Sequence, residues 1–412
     1  MIAKNEAHIL REALESVRPL YEEFIFVDTG STDGTMEIAS EFGAKIIEEP
    51  WEDDFSKHRN TSLEAATGDW ILVIDADEMI DEGQHELLRK LTLKEKHCYL
   101  LTQRHYSNDH RLSSFMPCVG DLPKWEREYI GYFESSLCRL FPNDERIRYR
   151  NRIHELVEPA IGEHSDLTLV QSPIRLHHFG HTPEAKERKN KTKLYTPLGE
   201  KKATEQPNTW KAFYELGVEH NCNGRPAESV EAFVKATELN PEYVPSWINF
   251  GYVLVELGRY KEAFEALSEA LKREPQNPEA HCNLAVMYMR EQNYPMAVAH
   301  LEKAVVNKPD YVNAYSNLGT CLMKLGRVAE ATKVFEEGYR RAPKNSQLLL
   351  RFGYGLLELG ILEEAKVVMQ QVVKLAPKDP AGWELFGKTL EGLEMSREAQ
   401  MAYDKVRELT AR

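Results

Sequence analysis

Two kinds of hydrophobic pattern divide the chain. Over residues 1 to about 182, short β-branched runs alternate with amphipathic segments. Phe24-Ile25-Phe26-Val27 and Trp70-Ile71-Leu72-Val73-Ile74 are continuous apolar runs that predict buried strands, and Arg148-Tyr149-Arg150 has a strand-like pattern. Glu6 to Val17 and Thr35 to Phe42 carry apolar residues at helical spacing and predict helices. Strands alternating with helices imply a mainly parallel α/β sheet, with ligands at the carboxyl ends of its strands. From Trp210 onward the pattern is helical throughout and repeats.

The repeat is 34 residues long. Pro207, Pro241, Pro275, Pro309, Pro343 and Pro377 mark it. In the same register a small residue recurs at Gly217, Gly251, Ala285, Gly319, Gly353 and Gly387, each preceded by Leu or Phe. Alanine recurs at Ala263, Ala297, Ala331, Ala365 and Ala399, and a bulky residue at Phe233, Leu267, Leu301, Phe335, Met369 and Tyr403. Small residues let paired helices approach closely, and proline ends a helix by withholding a hydrogen bond. The pattern resembles the tetratricopeptide repeat. Six repeats are expected over residues 210–412, starting near Trp210, Val244, Pro278, Val312, Ser346 and Pro380, and forming an all-α solenoid. The Lys- and Glu-rich stretch over residues 183–209 reads as a connecting helix and linker.

Composition narrows the classes of function. A formal net charge of -14 disfavours nucleic acid and anionic membrane surfaces as partners. No stretch approaches the roughly 20 apolar residues of an integral membrane segment, and the amino terminus lacks a secretion-signal pattern. The six cysteines show no C-x-x-C spacing, which fits free thiols in a reducing cytoplasm.

Two acidic clusters fall where the α/β topology puts a ligand. Asp28-Thr29-Gly30-Ser31-Thr32-Asp33-Gly34-Thr35 follows one strand and opens a helix; Asp75-Ala76-Asp77-Glu78 follows another. Together with Lys4-Asn5-Glu6 and Asp54-Phe55-Ser56-Lys57-His58-Arg59-Asn60, they resemble glycosyltransferase family 2, whose fold is the Rossmann-like GT-A domain. The resemblance covers roughly residues 1–182. One departure stands out: only Met1-Ile2-Ala3 precedes Lys4, where a first strand of five or six residues is expected. Either the natural start lies upstream or that strand is shortened.

The resemblance implies a nucleotide-diphosphate sugar donor, UDP-linked in the first instance, and inversion at the anomeric carbon. A departing diphosphate needs its charge neutralised, and oxygen ligands suit Mg²⁺ or Mn²⁺. Asp77 is the expected metal ligand, with Asp75 on the ribose or on the metal through water. Asn5, Glu6, Asp28, Arg59, Asp75 and Ala76 form the expected nucleotide-sugar site. Asp28 is suited to the base, its alternative role being a helix cap, for which Asp33 is better placed. Gly30 and Gly34 serve the tight turn. Two histidine motifs follow, Arg152-Ile153-His154-Glu155 and Leu176-His177-His178-Phe179-Gly180-His181. Both resemble a repeat-bearing subgroup of family 2 that includes bacterial peptide S-glycosyltransferases and flagellin glycosyltransferases. His178 is expected to complete the metal shell, with His177 and His181 structural. Glu155 is the candidate general base, and His154 the alternative.

Arrays of this repeat build a groove for extended peptides. Asn249, Asn283 and Asn317 hold one place in three consecutive repeats, and an amide side chain can pair with a peptide backbone whatever its sequence. They are candidate acceptor contacts, or repeat consensus. Trp247, Tyr315 and Trp383 read as intra-repeat core. The expected function is transfer of a sugar to a peptide or protein acceptor on the repeats. The alternatives are an enzyme of cell-envelope glycans or lipid-linked saccharides, and a non-enzymatic scaffold that binds nucleotide.

Overall fold

A computed structural model describes residues 1–93, 97–108, 115–120, 122–126, 129–180 and 191–410. Two compact units emerge, one of Met1–Ser107 with Tyr132–Glu219, the other of Asn108–Gly131 with His220–Arg412. His181 and the first part of the 183–209 linker lie outside the described residues.

The first unit runs β1 (Ile2–Ala3), α1 (Ala7–Val17), β2 (Phe24–Asp28), α2 (Thr35–Glu41), β3 (Ala44–Glu48), α3 (Phe55–Glu64), β4 (Trp70–Leu72), β5 (Glu78–Ile80), α4 (His85–Leu91) and β6 (His97–Ser107). The intervening Asn108–Gly131 segment of the second unit holds β7 (Met116–Pro117) and α5 (Pro123–Glu126). Then come β8 (Gly131–Pro142), α6 (Glu158–Gly162), β9 (Thr168–His178) and α7 (Lys191–Glu205).

All five residues of β2 are buried, as a strand covered on both faces requires. It pairs in parallel with β1 and β3. Leu10, Ala13, Leu14 and Val17 form one buried stripe on α1. Leu10 and Leu14 pack with Phe24, Phe26 and Ala76 in a single apolar cluster; each such fully buried side chain contributes about 2 kcal/mol. The expected parallel arrangement describes this three-stranded sheet. A second sheet, ordered β4-β8-β6-β9-β5, is mixed: β6 and β9 are parallel, whereas β4–β8 and β5–β9 are antiparallel. Its long strands carry Gln103, Arg104, His105, Arg139 and His177 in buried positions, which break up apolar stretches such as residues 98–101 of β6. Arg148-Tyr149-Arg150 is not a strand; Arg150 forms one isolated bridge with Leu156 that closes a loop.

The helical part runs α8 (Trp210–Cys222), α9 (Pro226–Leu239), α10 (Val244–Glu256), α11 (Tyr260–Arg273), α12 (Pro278–Arg290), α13 (Tyr294–Asn307), α14 (Val312–Lys324), α15 (Val328–Arg341), α16 (Ser346–Glu358), α17 (Leu362–Leu375), α18 (Pro380–Gly392) and α19 (Ser396–Thr410), with α10 packed on α11, α12 on α13, α14 on α15, α16 on α17 and α18 on α19. The periodic residues meet one another. A Cβ built on Gly251 would lie 2.5 Å from Leu267, on Gly319 2.5 Å from Phe335, and on Gly387 2.6 Å from Tyr403. In these helices, and at Gly353 against Met369, the small residue of the first helix receives the bulky residue of its own second helix. Three of the prolines that follow a second helix gain a further lock. The carbonyls of Pro241, Pro275 and Pro377 are bonded by side-chain nitrogens of Trp247, His281 and Trp383, six residues on, at 2.8–3.1 Å. Among the described residues no helix is long and apolar enough to cross a membrane, and the six cysteines form no disulfide.

Each first helix ends on a left-handed residue: Gly224, Gly258, Gly326 and Gly360 at φ of 68–73°, with Gln292 (58°) and Glu394 (62°) in the same register. At Gly326 the N–H groups of residues 326 and 327 return to the carbonyls of Met323 and Leu322; at Gln292 those of residues 292 and 293 return to Met289 and Tyr288. A side chain in this conformation costs about 1 kcal/mol. Gln292→Gly is expected to raise the thermal midpoint of the helical signal, and Gly326→Gln to lower it by the equivalent of about 1 kcal/mol. Melting curves of the two full-length variants check the pair of opposite signs.

Candidate functional site

A cavity of about 630 Å³ opens in the first unit at the carboxyl ends of β1 and β4. Asn5, Glu6, Arg59, Asp75, Ala76, Asp77, His154, Glu155 and His178 all border it. These residues are up to 173 positions apart in the chain. Asp28 does not border it. Its Oδ2 accepts the N–H groups of Gly30 and Ser31 at 2.9 and 2.8 Å, and its buried Oδ1 has no hydrogen-bond partner among the described residues.

The first wall is built by side chains that hold two turns together. Asn5 sits at φ 57°; its backbone N–H donates to Ser31 Oγ (3.0 Å), and its Oδ1 accepts from the Thr32 N–H (2.8 Å). The Glu6 N–H donates to Thr35 Oγ1. Asp33 accepts from Thr35 and from the Ala7 N–H, so it serves the amino ends of both α2 and α1. Gly30, at φ 102°, needs to be glycine; Gly34, at φ −74°, does not.

The floor is a buried charge network. Arg59 donates from Nε to Glu155 (2.8 Å) and from Nη2 to Asp75 Oδ1 (2.8 Å). Arg139, on β8, donates to Asp75 Oδ2 (2.8 Å) and Glu78 Oε1 (3.1 Å). The Asp75 N–H closes on Glu78 Oε2 at 2.8 Å. Burial alone would raise the Asp75 carboxyl, but Arg139 and Arg59 hold it well below the usual carboxylate range. Burial pushes the Glu78 carboxyl up, with Arg139 opposing. Removing one partner from such a buried set costs on the order of 3 kcal/mol, so two donors of Arg59 are committed to the protein. Ala76, packed in the α1–β2 core, fixes the turn that carries Asp75 and Asp77.

A second polar line approaches from β9. His178 Nε2 lies 3.5 Å from Asp77 Oδ1. His178 Nδ1 is 2.7 Å from His105 Nδ1, and His105 Nε2 is 2.7 Å from Ser135 Oγ. His177 points the other way, as alternation along a strand demands, and bonds the Tyr106 hydroxyl at 2.8 Å. At Gly180 any Cβ would collide with Asp77 Oδ2 and His178 Nε2. Among the described residues no group of three or more His, Cys, Asp or Glu converges with ligand geometry.

The remaining wall includes Trp51, Phe55, Tyr149 and Tyr195. Trp51 packs on Phe55 (centroids 4.6 Å) and Phe55 on Tyr195 (5.8 Å). The Arg150–Leu156 loop enters here with two left-handed residues, Asn151 (φ 76°) and His154 (φ 53°). His154 is exposed, whereas Glu155 is half-buried against Arg59. Sequence reading missed Arg139, His105, Tyr149 and Tyr195. None lies in a motif: strand register brings Arg139 to the cavity and His105 to His178, while Tyr149 arrives on the loop after β8 and Tyr195 on α7. On the repeats, Asn249, Asn283 and Asn317 are half-buried. Asn249 Nδ2 donates to the Pro245 carbonyl (3.0 Å), and Asn317 Nδ2 lies 3.8 Å from Cys282 Sγ.

Residues 1–136 match the model of glycosyl transferase family 2. Residues 251–292, 282–346 and 322–388 match three models of the tetratricopeptide repeat. A TPR repeat-containing protein of Synechococcus elongatus is 38% identical over 162 residues, which are 39% of this chain and 35% of that one. The SPbeta prophage-derived glycosyltransferase SunS of Bacillus subtilis is 26% identical over 238 residues, 57% of this chain and 52% of SunS. The solved structure of YrrB, a TPR protein with an unusual peptide-binding site, is 24% identical, with a TM-score of 0.36, covering 44% of this chain and 93% of that one. The chain thus spans between about a third and about a half of the length of these two curated relatives. It carries a glycosyltransferase family 2 domain at its amino terminus, followed by tetratricopeptide repeats.

Proposed function

We propose that the protein is an inverting glycosyltransferase that moves a sugar from a nucleotide-diphosphate donor, in the first instance a UDP-sugar, to a peptide or protein acceptor held by its repeats. The division proposed with it is a catalytic domain over residues 1–182, a connecting helix and linker over 183–209, and six repeats over 210–412. A cytoplasmic site of action goes with it, where unpaired thiols persist. The observation that supports the reading best is the convergence of Asp75, Asp77, His178, Glu155 and His154 on one cavity.

In this reading Asn5, Glu6 and Ala76 contact the donor, and Asp28 offers its unpartnered Oδ1 to the N–H of a base. Arg59 acts at one remove, by holding Asp75 and Glu155 in place. Asp77 and His178 fit a divalent cation: one carboxylate and one imidazole, 3.5 Å apart, leave positions for diphosphate oxygens and water. Bound there, Mn²⁺ or Mg²⁺ supplies positive charge to the departing diphosphate. Glu155 accepts the acceptor proton with the carboxylate oxygen that Arg59 does not occupy; His154, exposed at the same cavity, is the alternative base. Asn249, Asn283 and Asn317 contact the acceptor backbone. Holding the acceptor on the same chain raises its local concentration to about the millimolar range.

Asp77→Ala is expected to abolish the cation-dependent part of UDP binding, measured by calorimetry with and without chelator. Equal binding in both conditions would remove the cation from the reading. Glu155→Gln is expected to leave donor binding intact and to slow transfer by 10²–10⁴-fold; undiminished turnover would move the base to another group, with His154→Gln the next variant to assay. Replacing Asn249, Asn283 and Asn317 together by alanine is expected to weaken acceptor binding while sparing donor hydrolysis. Unchanged acceptor affinity would reduce the three amides to repeat consensus.

A further inference from the structure

Lys202 lies on α7, beyond the residues that match the transferase family, and it is buried to 5% exposure. Near the end of a helix, a lysine ordinarily extends to solvent or covers its own last carbonyls. This ammonium does neither. It lies 2.7 Å from Glu215 on α8 and donates at 3.3 Å to the Ile153 carbonyl. That carbonyl belongs to the peptide joining Ile153 to His154, whose orientation follows the φ of His154. His154 stands at φ 53°, a conformation that L side chains avoid unless their surroundings impose it.

Neighbouring contacts act on the same loop. Gln206 Nε2 donates to Oδ1 of Asn151 (3.3 Å), the second left-handed residue. Arg152 is held between Glu205 (3.5 Å) and Asp54 (3.6 Å), and its carbonyl accepts from the Phe55 N–H. The turn from Lys202 to Gln206 thus grips three consecutive loop residues, Asn151 to Ile153, immediately before His154 and Glu155.

We propose that Lys202 is a positioning residue for the His154–Glu155 pair. It fixes the 153–154 peptide plane, and through Glu215 it joins that plane to α8. The inference rests on the proposed role of Glu155. With the Ile153 carbonyl released, the plane can turn, His154 relaxes from its left-handed state, and the Glu155 carboxylate leaves the Arg59 side of the cavity.

The test uses the full-length chain with Mn²⁺ and, as probes, UDP-glucose and UDP-N-acetylglucosamine, reading UDP release together with hydrogen exchange of residues 150–156. Lys202→Met is expected to lower kcat about 10²-fold, the scale of a misplaced catalytic group, with KM for the probe unchanged. It is also expected to speed exchange in the loop but not in β6. Lys202→Arg, which keeps a donor, is expected to recover most of the rate. Adding Lys202→Met to Glu155→Gln should cost no further rate, which a general structural defect would not reproduce. Unchanged loop exchange in Lys202→Met overturns the inference whatever the probes do. So does a parental kcat, or a loss of cooperative melting that Lys202→Arg shares. A crippled Glu155→Gln beside an unimpaired Lys202→Met sinks the Lys202 role alone; an unimpaired Glu155→Gln sinks the base assignment on which both depend.

Discussion

The first unit depends on one guanidinium taken out of water. Arg59 sits on α3 with its side chain 8% exposed, and joins Asp75, from the turn after β4, to Glu155, from the loop before α6. Two carboxylates from distant parts of the chain could not share a cavity wall uncompensated, because each would lose hydration and repel the other. Arg139 adds a second positive charge from β8 and brings in Glu78. The result is an alternating set of charges whose members fix one another's rotamers. A site built this way is rigid before any ligand arrives, as stabilisation by fixed charges requires.

How legible was this in the sequence? The repeats were read almost residue by residue. A 34-residue spacing of proline, glycine and alanine leaves few arrangements open, since a glycine facing Leu267 or Phe335 admits no other helix crossing. In the β1–β3 sheet β2 was equally open, because a strand buried on both faces must be an apolar run, whereas two-residue β1 and partly exposed β3 were not. In the second sheet β4 was read from its apolar run, but the long strands were not. β6, β8 and β9 bury Gln103, Arg104, His105, Arg139 and His177, and a strand that spends its inward positions on polar groups shows no hydrophobic period. Of those polar groups Arg139 borders the cavity and His105 bonds His178, which borders it, so part of the site's surroundings lay on the least legible strands.

The acidic motifs were found by sequence because their partners are adjacent in the chain. Asp33 serves Thr35 two residues on, and Asp28 serves Gly30 and Ser31. Arg139 lies 64 residues from Asp75, and His105 lies 73 from His178. Nothing local demands either residue, and only strand register shows the need. The connecting segment brought the largest change of view. Composition suggested a connecting helix and linker; the helix, α7, also lends Tyr195 to the cavity wall and Lys202 to the loop behind it.

Gly180 has a quieter significance. It occupies neither a left-handed turn nor a helix crossing; it is small because the main chain there runs against the Asp77 carboxylate and the His178 ring. A methyl group at that position would press on the ends of both side chains, so the bare backbone of residue 180 is what leaves them room to stand 3.5 Å apart.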